Sequence, residues 1–194
     1  MSAFVKSPPF LLPLLLLVPA IAISQDKPRA PFYSWGACPF ECCIYREWQA
    51  EEPVVAYARR DLGSPVTFRV QKGEWVEAVN GVVITHAIGV SKVLKPVELG
   101  YGKNGNKPLL SLKAGDLLYP LHYLGEGSYL FGYQGFVYSD QVSGSSVNAV
   151  LLPDRSIEVL VPPKYVWWAK IRSKQGILGW TNTPNRFGNT DRCG

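Results

Sequence analysis

The segment Val166 to Thr181, V-W-W-A-K-I-R-S-K-Q-G-I-L-G-W-T, constrains this chain more than any other stretch. Two runs of β-branched and aromatic residues flank Ser173-Lys174-Gln175-Gly176, a composition suited to a tight reversal, so the segment predicts a hairpin. Alternation places Trp167, Ala169 and Ile171 on one face of the first run and Trp168, Lys170 and Arg172 on the other. The first face reads as core. The second reads as outward, with a large ring beside two cations, and is the first candidate for ligand contact. Two strands alone are marginal in water, so this hairpin needs a larger sheet to complete it.

The rest of the chain offers that sheet. Val54 to Ala58 and Pro65 to Val70 read as strands around the turn-prone Arg60-Asp61-Leu62-Gly63-Ser64. Trp75 to Val79 and Val82 to His86 flank Asn80-Gly81, a strong hairpin signal because both turn positions tolerate positive φ. Val90 to Val97, Ser128 to Tyr133 and Ile157 to Val161 add further strands, with Gln134-Gly135 as another turn. Long helical periodicity is missing, so the fold class is all-β.

An internal repeat organises these strands. Val70 to Val79 (V-Q-K-G-E-W-V-E-A-V) aligns with Leu112 to Leu121 (L-K-A-G-D-L-L-Y-P-L). Both read apolar-x-x-Gly-acid-apolar-apolar-x-x-apolar. This pattern resembles the turn before the second strand of bacterial SH3-like barrels, which implies that glycine permits the reversal and that the acid accepts from backbone amides.

The pattern W-W-A-K-I…G-I-L-G-W-T resembles the distal hairpin of SH3 barrels, most of all the bacterial SH3b type. Thr183-Pro184-Asn185-Arg186-Phe187 stands where such a barrel places a one-turn 3₁₀ helix. Leu109 to Cys193 is similar to bacterial SH3-like domains, and Val54 to Val97 more loosely so. The leader C-P-F-E-C-C and the ending F-G-N-T-D-R-C look like those of exported bacterial SH3 proteins. The resemblance implies tandem small SH3-like barrels, one over residues 50–98 and one over 99–194, with an insertion near 139–149. It also implies a ligand groove between the first long loop and the distal hairpin. The matching residues are Trp168, Lys170, Arg172, Tyr119, Tyr123, Tyr129 and Tyr133. The first loop of the second module, Tyr101 to Lys107, is basic, which departs from domains that bind basic proline-rich peptides.

The N-terminus predicts an exported chain. Lys6 precedes an apolar run from Phe10 to Val18, and Pro19-Ala20-Ile21-Ala22 supplies a small-residue cleavage site, so residues 1–24 read as a signal peptide. Loss of that segment removes one of 20 basic residues against 15 acidic ones and leaves a net charge of +4. A mild excess suits an anionic surface such as a cell-wall polymer, and no basic run marks a nucleic-acid partner. No integral membrane span is expected after cleavage.

Residues 25–49 form a cysteine-rich extension that holds three of the four cysteines. An even count in an exported protein argues for disulfides. Cys42 and Cys43 are adjacent, and a bridge between neighbours is strained. Cys38 is then expected to pair with Cys42 or Cys43, and Cys193 with the other. Neither a metal nor another cofactor is expected, because the histidines, His86 and His122, fall in unrelated strands. No G-x-S-x-G, H-E-x-x-H or phosphate-binding glycine loop occurs, and neither histidine sits beside an obvious nucleophile, so the chain reads as a non-enzyme. The expected function is an exported binding module for a cell-envelope ligand, either a peptidoglycan peptide or glycan or a partner protein. The alternative is a structural or inhibitory partner protein of the periplasm without a small-ligand groove. A cell-wall hydrolase is a third reading.

Overall fold

Fifteen strands and one 3₁₀ turn make up the described part of the chain. The structure, a computed structural model, describes residues 27–40, 42–99, 110–125, 128–139 and 156–192. The expected signal peptide, the basic loop at 101–107, most of the expected insertion at 139–149, and Cys193 lie outside the described residues. The strands are β1 (Phe32–Trp35), β2 (Glu47–Ala50), β3 (Val54–Tyr57), β4 (Val66–Val70), β5 (Trp75–Ala87), β6 (Val90–Val93), β7 (Val97–Leu99) and β8 (Leu110–Leu112). They continue with β9 (Leu117–Gly125), β10 (Ser128–Tyr133), β11 (Phe136–Ser139), β12 (Ile157–Val161), β13 (Lys164–Arg172), β14 (Leu178–Thr181) and β15 (Phe187–Gly188). The 3₁₀ turn covers Pro184–Arg186, within the segment where the resemblance implies one, and proline opens it without losing a needed donor. Among the described residues no helix is long and apolar enough to cross a membrane.

All pairings between strands are antiparallel. One sheet has the order β15-β2-β5-β13-β14-β3-β4, with β1 also paired to β5, and curls into a half-barrel. A second has the order β11-β10-β9-β6-β12, and β7 and β8 form a separate hairpin. The predicted hairpin at Val166 to Thr181 is present as β13 and β14, with Ala169 opposite Thr181 and Ile171 opposite Gly179.

Asn80-Gly81 is a different matter. No hairpin forms there; β5 runs straight through it for 13 residues. Gly81 pairs with Ala169 on β13, and its carbonyl accepts from the Gly36 amide at 2.8 Å. A Cβ at this position would lie 2.8 Å from Trp167 Nε1 and closer still to the Tyr45 hydroxyl. The glycine is there for close approach of two aromatic side chains rather than for positive φ.

The two copies of the repeat occupy equivalent places. Gly73 (φ +84°) and Gly115 (φ +96°) make the same turn, and Glu74 and Asp116 accept from the Gln71 and Lys113 amides at 2.6 and 2.7 Å. The Gly73 amide donates to Ala50 O at 2.7 Å, and the Ala50 amide to Glu74 O at 2.9 Å. In the other copy Gly115 donates to Val93 O at 2.8 Å, and Val93 to Asp116 O at 2.9 Å. One residue further on, Glu51 donates to Arg186 O and Leu94 to Ser156 O. The strand order agrees as well. In chain order β2, β5, β13, β14 and β15 are the counterparts of β6, β9, β10, β11 and β12, and both sets read fifth-first-second-third-fourth across the sheet.

The copies are nested, not tandem. All of β6 to β12 lies between β5 and β13, which pair with each other along their length. Strand pairing therefore crosses the expected division at 98/99, because the hairpin at 166–181 completes the sheet begun at 47–87. The cysteine-rich stretch is no appendage either. Both β1 and β2 pair with β5, and Trp48 on β2 is fully buried.

Each sheet has its own core. Trp48 packs with Ala50, Val54, Ala56, Val70, Val76, Ala78, Ala169, Ile171 and Phe187, and Tyr45 and Trp167 close over it. Burial pushes the Tyr45 phenol up to about 12 despite the hydrogen bond it accepts from Trp167 Nε1. The second core joins Val93, Leu99, Leu112, Leu118, Phe131, Tyr133 and Ile157. Cys38 and Cys43 form a disulfide with Cα atoms 5.5 Å apart, and Cys42 is disulfide-bonded too. The chain end lies beside them, since Arg192 N donates to Cys42 O at 3.0 Å and Cys43 bridges to Asp191.

Candidate functional site

The expected outward face of the hairpin is covered at its centre. Trp168 is 4% exposed and packs with Val82 and Ile84 on β5, while the Tyr57 ring meets it edge-on at 6.3 Å. This corrects the expectation of an outward Trp168. Alternation holds, but β5 and β3 bring apolar side chains onto that face, so a second cluster forms behind the first. The face reaches solvent only beyond it. Lys170 Nζ stands 5.8 Å from the centre of the Trp180 ring, and Arg172 pairs with Glu77 at 2.6 Å.

The four tyrosines lie on the other sheet, in β9 and β10, so strand pairing does not gather them with the hairpin residues. Tyr133 is buried, and its hydroxyl donates to Asp116 Oδ2 at 2.7 Å, which makes it a support for the second repeat turn. Tyr123 and Tyr129 meet edge to face at 5.3 Å. Burial raises the Tyr129 phenol, with smaller contributions from Tyr165 and Tyr123. Lys27 Nζ approaches the Tyr119 ring at 5.9 Å.

His86 is exposed on β5, whereas His122 is buried where the two sheets meet. Its Nδ1 lies 2.9 Å from Tyr123 O, and Nε2 lies 2.8 Å from Ser34 Oγ on β1. A carbonyl accepts only, so Nδ1 carries the proton and Nε2 accepts from the serine hydroxyl. Burial lowers the pKa of His122, consistent with that neutral form. The Tyr165 ring stands edge-on at 6.0 Å, and Thr85 Oγ1 donates to Leu121 O at 3.0 Å. These polar contacts fasten β9 to the first sheet. Among the described residues no group of three His, Cys, Asp or Glu side chains could hold a metal.

A different cluster combines exposure with charge. Alternation along β1 turns Ser34 toward His122 and Tyr33 and Trp35 toward solvent, where they are 45% and 61% exposed. Their rings are near parallel, 15° apart in plane and 6.3 Å between centres. Arg60 comes to them from the loop between β3 and β4. Its Cζ stands 4.5 Å from the Trp35 ring centre, 5.1 Å from Trp180 and 6.0 Å from Tyr33. Each separation is within the range of cation–π attraction. The loop itself is well held. Asp61 Oδ1 accepts from Gly63 N at 2.9 Å, and the Ser64 hydroxyl accepts from Arg59 N at 3.1 Å. Arg60 Nη1 is buried without a hydrogen-bond partner among the described residues.

Sequence reasoning misses this cluster because its members come from β1, a loop and β14, far apart in the chain. The one local signal is the F-Y-S-W alternation, whose outward rings match no inward partner nearby. A separate cleft of about 130 Å³, lined by Arg69, Glu74, Trp75 and Lys174 among others, lies beside the β13–β14 turn. It is small for a ligand pocket. No family model, no curated protein and no solved structure matches the chain.

Proposed function

We propose that the protein is an exported, non-catalytic binding module of the cell envelope, built from two SH3-like barrels of which one is inserted in the other. The shared strand order, the hairpin at 164–181 and the 3₁₀ turn before β15 support the barrel reading. Disulfides on Cys38, Cys42 and Cys43 support an oxidising compartment. The insertion enters the loop between the second and third strands of the outer barrel.

The observation that carries the binding reading is Arg60, set among Trp35, Trp180 and Tyr33 with two of the rings open to solvent. Large exposed rings beside an unpaired cation are costly to leave in water and favourable to cover. The contact residues are thus Tyr33, Trp35, Arg60 and Trp180, with Lys170 at their margin. The test is co-sedimentation of the purified mature protein with cell-wall sacculi and with envelope extracts. Retention on either, weakened at least tenfold by Trp35→Ala, is the expected result. Failure to bind both removes the proposal.

A second reading, a partner protein without a small-ligand site, draws on the edge strands of the inner sheet. Phe136 on β11 is 69% exposed, and Leu160 and Val161 on β12 are about half exposed. Such edges accept another strand. A stoichiometric protein captured by pull-down, insensitive to Trp35→Ala but lost on Phe136→Lys, favours it.

A further inference from the structure

We infer that the ligand of the Tyr33–Trp35–Arg60–Trp180 cluster is an anionic polysaccharide, held by a sugar carboxylate on the guanidinium edge and a sugar face on Trp35. This rests on the binding reading above and names the chemistry of its ligand.

Three features of the cluster converge on that chemistry. First, rings crowd Arg60. Trp35 and Trp180 stand 4.5 and 5.1 Å from Cζ, and a guanidinium gives hydrogen bonds only through its N–H edge. That edge presents donors in a fixed fork, which matches a carboxylate in two parallel hydrogen bonds.

Second, the protein does not satisfy that fork. Arg60 Nη1 is buried and orphaned, and Arg60 joins no ion pair among the described residues. The adjacent carboxylate, Asp61, is committed to Gly63 N within its own turn. Lys170 Nζ, 5.8 Å over Trp180, adds a second positive charge with no carboxylate assigned to it among the described residues. An anion supplied from outside is the complement of this surface. Nη1 itself is closed to solvent, so the shift of the β3–β4 loop that admits a carboxylate also gives this orphaned donor its acceptor.

Third, the apolar part is a strip and not a pocket. The Tyr33 and Trp35 rings are successive outward residues of one strand, near parallel and largely open. The C–H face of a pyranose covers such a ring while its carboxylate projects sideways toward Arg60. The Asp and Glu side chains of an acidic peptide are flexible stems with no flat apolar face of their own, whereas a uronic acid carries both on one ring. Single-stranded nucleic acid would stack its bases, but it asks for a basic groove along several phosphates. Among the described residues, the cations placed over these rings are Arg60 and Lys170.

The experiment is calorimetric titration of the purified mature chain with polygalacturonate at low and at moderate salt. The controls are the methyl-esterified polymer, a neutral dextran, poly-glutamate and single-stranded DNA. Binding of polygalacturonate is expected, weakened by salt, with at least tenfold less affinity for the methyl ester and no binding to dextran. Arg60→Gln and Trp35→Ala are each expected to lower affinity at least tenfold. Arg60→Lys keeps the charge and the fold while removing the fork, and a loss of about tenfold is expected there too.

Equal affinity for the ester, tighter binding of poly-glutamate or DNA, or full affinity in Arg60→Lys each overturns the inference. Retention on sacculi with no affinity for polygalacturonate overturns it while leaving the envelope-binding reading in place. Affinity for polygalacturonate without retention on sacculi or envelope extracts supports the ligand chemistry and removes that reading.

Discussion

The two sheets share a strand order and a turn but fill their cores in different ways. In the outer one a fully buried Trp48 packs with Ala50, Ala56, Ala78 and Ala169 and against the Tyr45, Trp167 and Phe187 rings. In the inner one Leu112, Leu118, Phe131 and Tyr133 divide the same work, and no tryptophan takes part. A core needs a total volume and a pattern more than particular residues, so one topology admits both solutions. The turns differ in a similar way. Glu74 serves the Gln71 amide, whereas Asp116 serves the Lys113 amide and also accepts from the buried Tyr133 hydroxyl. The outer sheet is further tied by its cysteines, and the inner one is held through its attachment to β5 and β13.

The largest expected difference concerns that tie. Cys42 is oxidised, and the backbone of Arg192 bonds to it, so Cys193 is its expected partner. Peptide mapping of unreduced protein should join Cys42 to Cys193, and a free Cys193 thiol would sink the pairing. A loop this long is stabilised by about 5 kcal/mol at most in the chain-entropy account, against about 2 kcal/mol for the short Cys38–Cys43 loop. Cys42→Ser should therefore lower the urea midpoint more than Cys38→Ser.

Core truncation comes next. Trp48→Ala should cost about 3–5 kcal/mol, because it removes a fully buried indole together with its contacts to the Tyr45, Trp167 and Phe187 rings. Leu118→Ala in the inner core should cost less, about 2–3 kcal/mol, since larger neighbours can close in. Equal losses in denaturant titrations would break the contrast between the tryptophan-centred core and the shared one.

The turns provide a finer test. Asp116→Ala should destabilise by about 1–3 kcal/mol because it removes the acceptor shared by the Lys113 amide and the Tyr133 hydroxyl, and Glu74→Ala by about 1 kcal/mol. Gly73→Ala and Gly115→Ala should each cost about 1 kcal/mol or more, since both need positive φ. Similar values for the two glycines would sharpen the equivalence of the copies.

The smallest effect is a pH dependence at the joint between the sheets. Burial holds the folded pKa of His122 below its ordinary 6.5, so the unfolded chain binds the proton more readily. The contribution of the neutral ring is full above pH 6.5 and is lost as pH falls through the folded value. His122→Gln should flatten this part of the urea-midpoint profile between neutral and mildly acidic pH. An unchanged slope would remove the histidine from the joint.

Much of the local structure was legible in the residues. The hairpin at 166–181 and the strand at 128–133 follow from short-range rules of alternation and turn chemistry, while the 3₁₀ turn and the paired Gly-acid turns are expected from the resemblance to SH3 barrels. Gln134-Gly135 takes positive φ at both positions, as its composition predicts. Asn80-Gly81 obeys the same rules on paper and yet runs straight, because Tyr45 and Trp167 press on Gly81 from distant parts of the chain. The site was the least legible part. Trp168 has the right alternation to face outward and is buried, while Arg60 looks like an ordinary loop cation and is stacked among rings.

The residues alone determine an all-β chain, its repeat and the inward faces of its strands, because periodicity and turn preference act over a few positions. Whether two repeats lie side by side or one within the other is a matter of which strands pair, and β5 meets β13 across more than seventy intervening residues. Nothing local encodes that meeting. The same long-range pairing brings β1 against β5 and the β3–β4 loop up to β14, and so assembles Trp35, Arg60 and Trp180. A binding surface made by convergence of distant segments exists only once the sheet has closed.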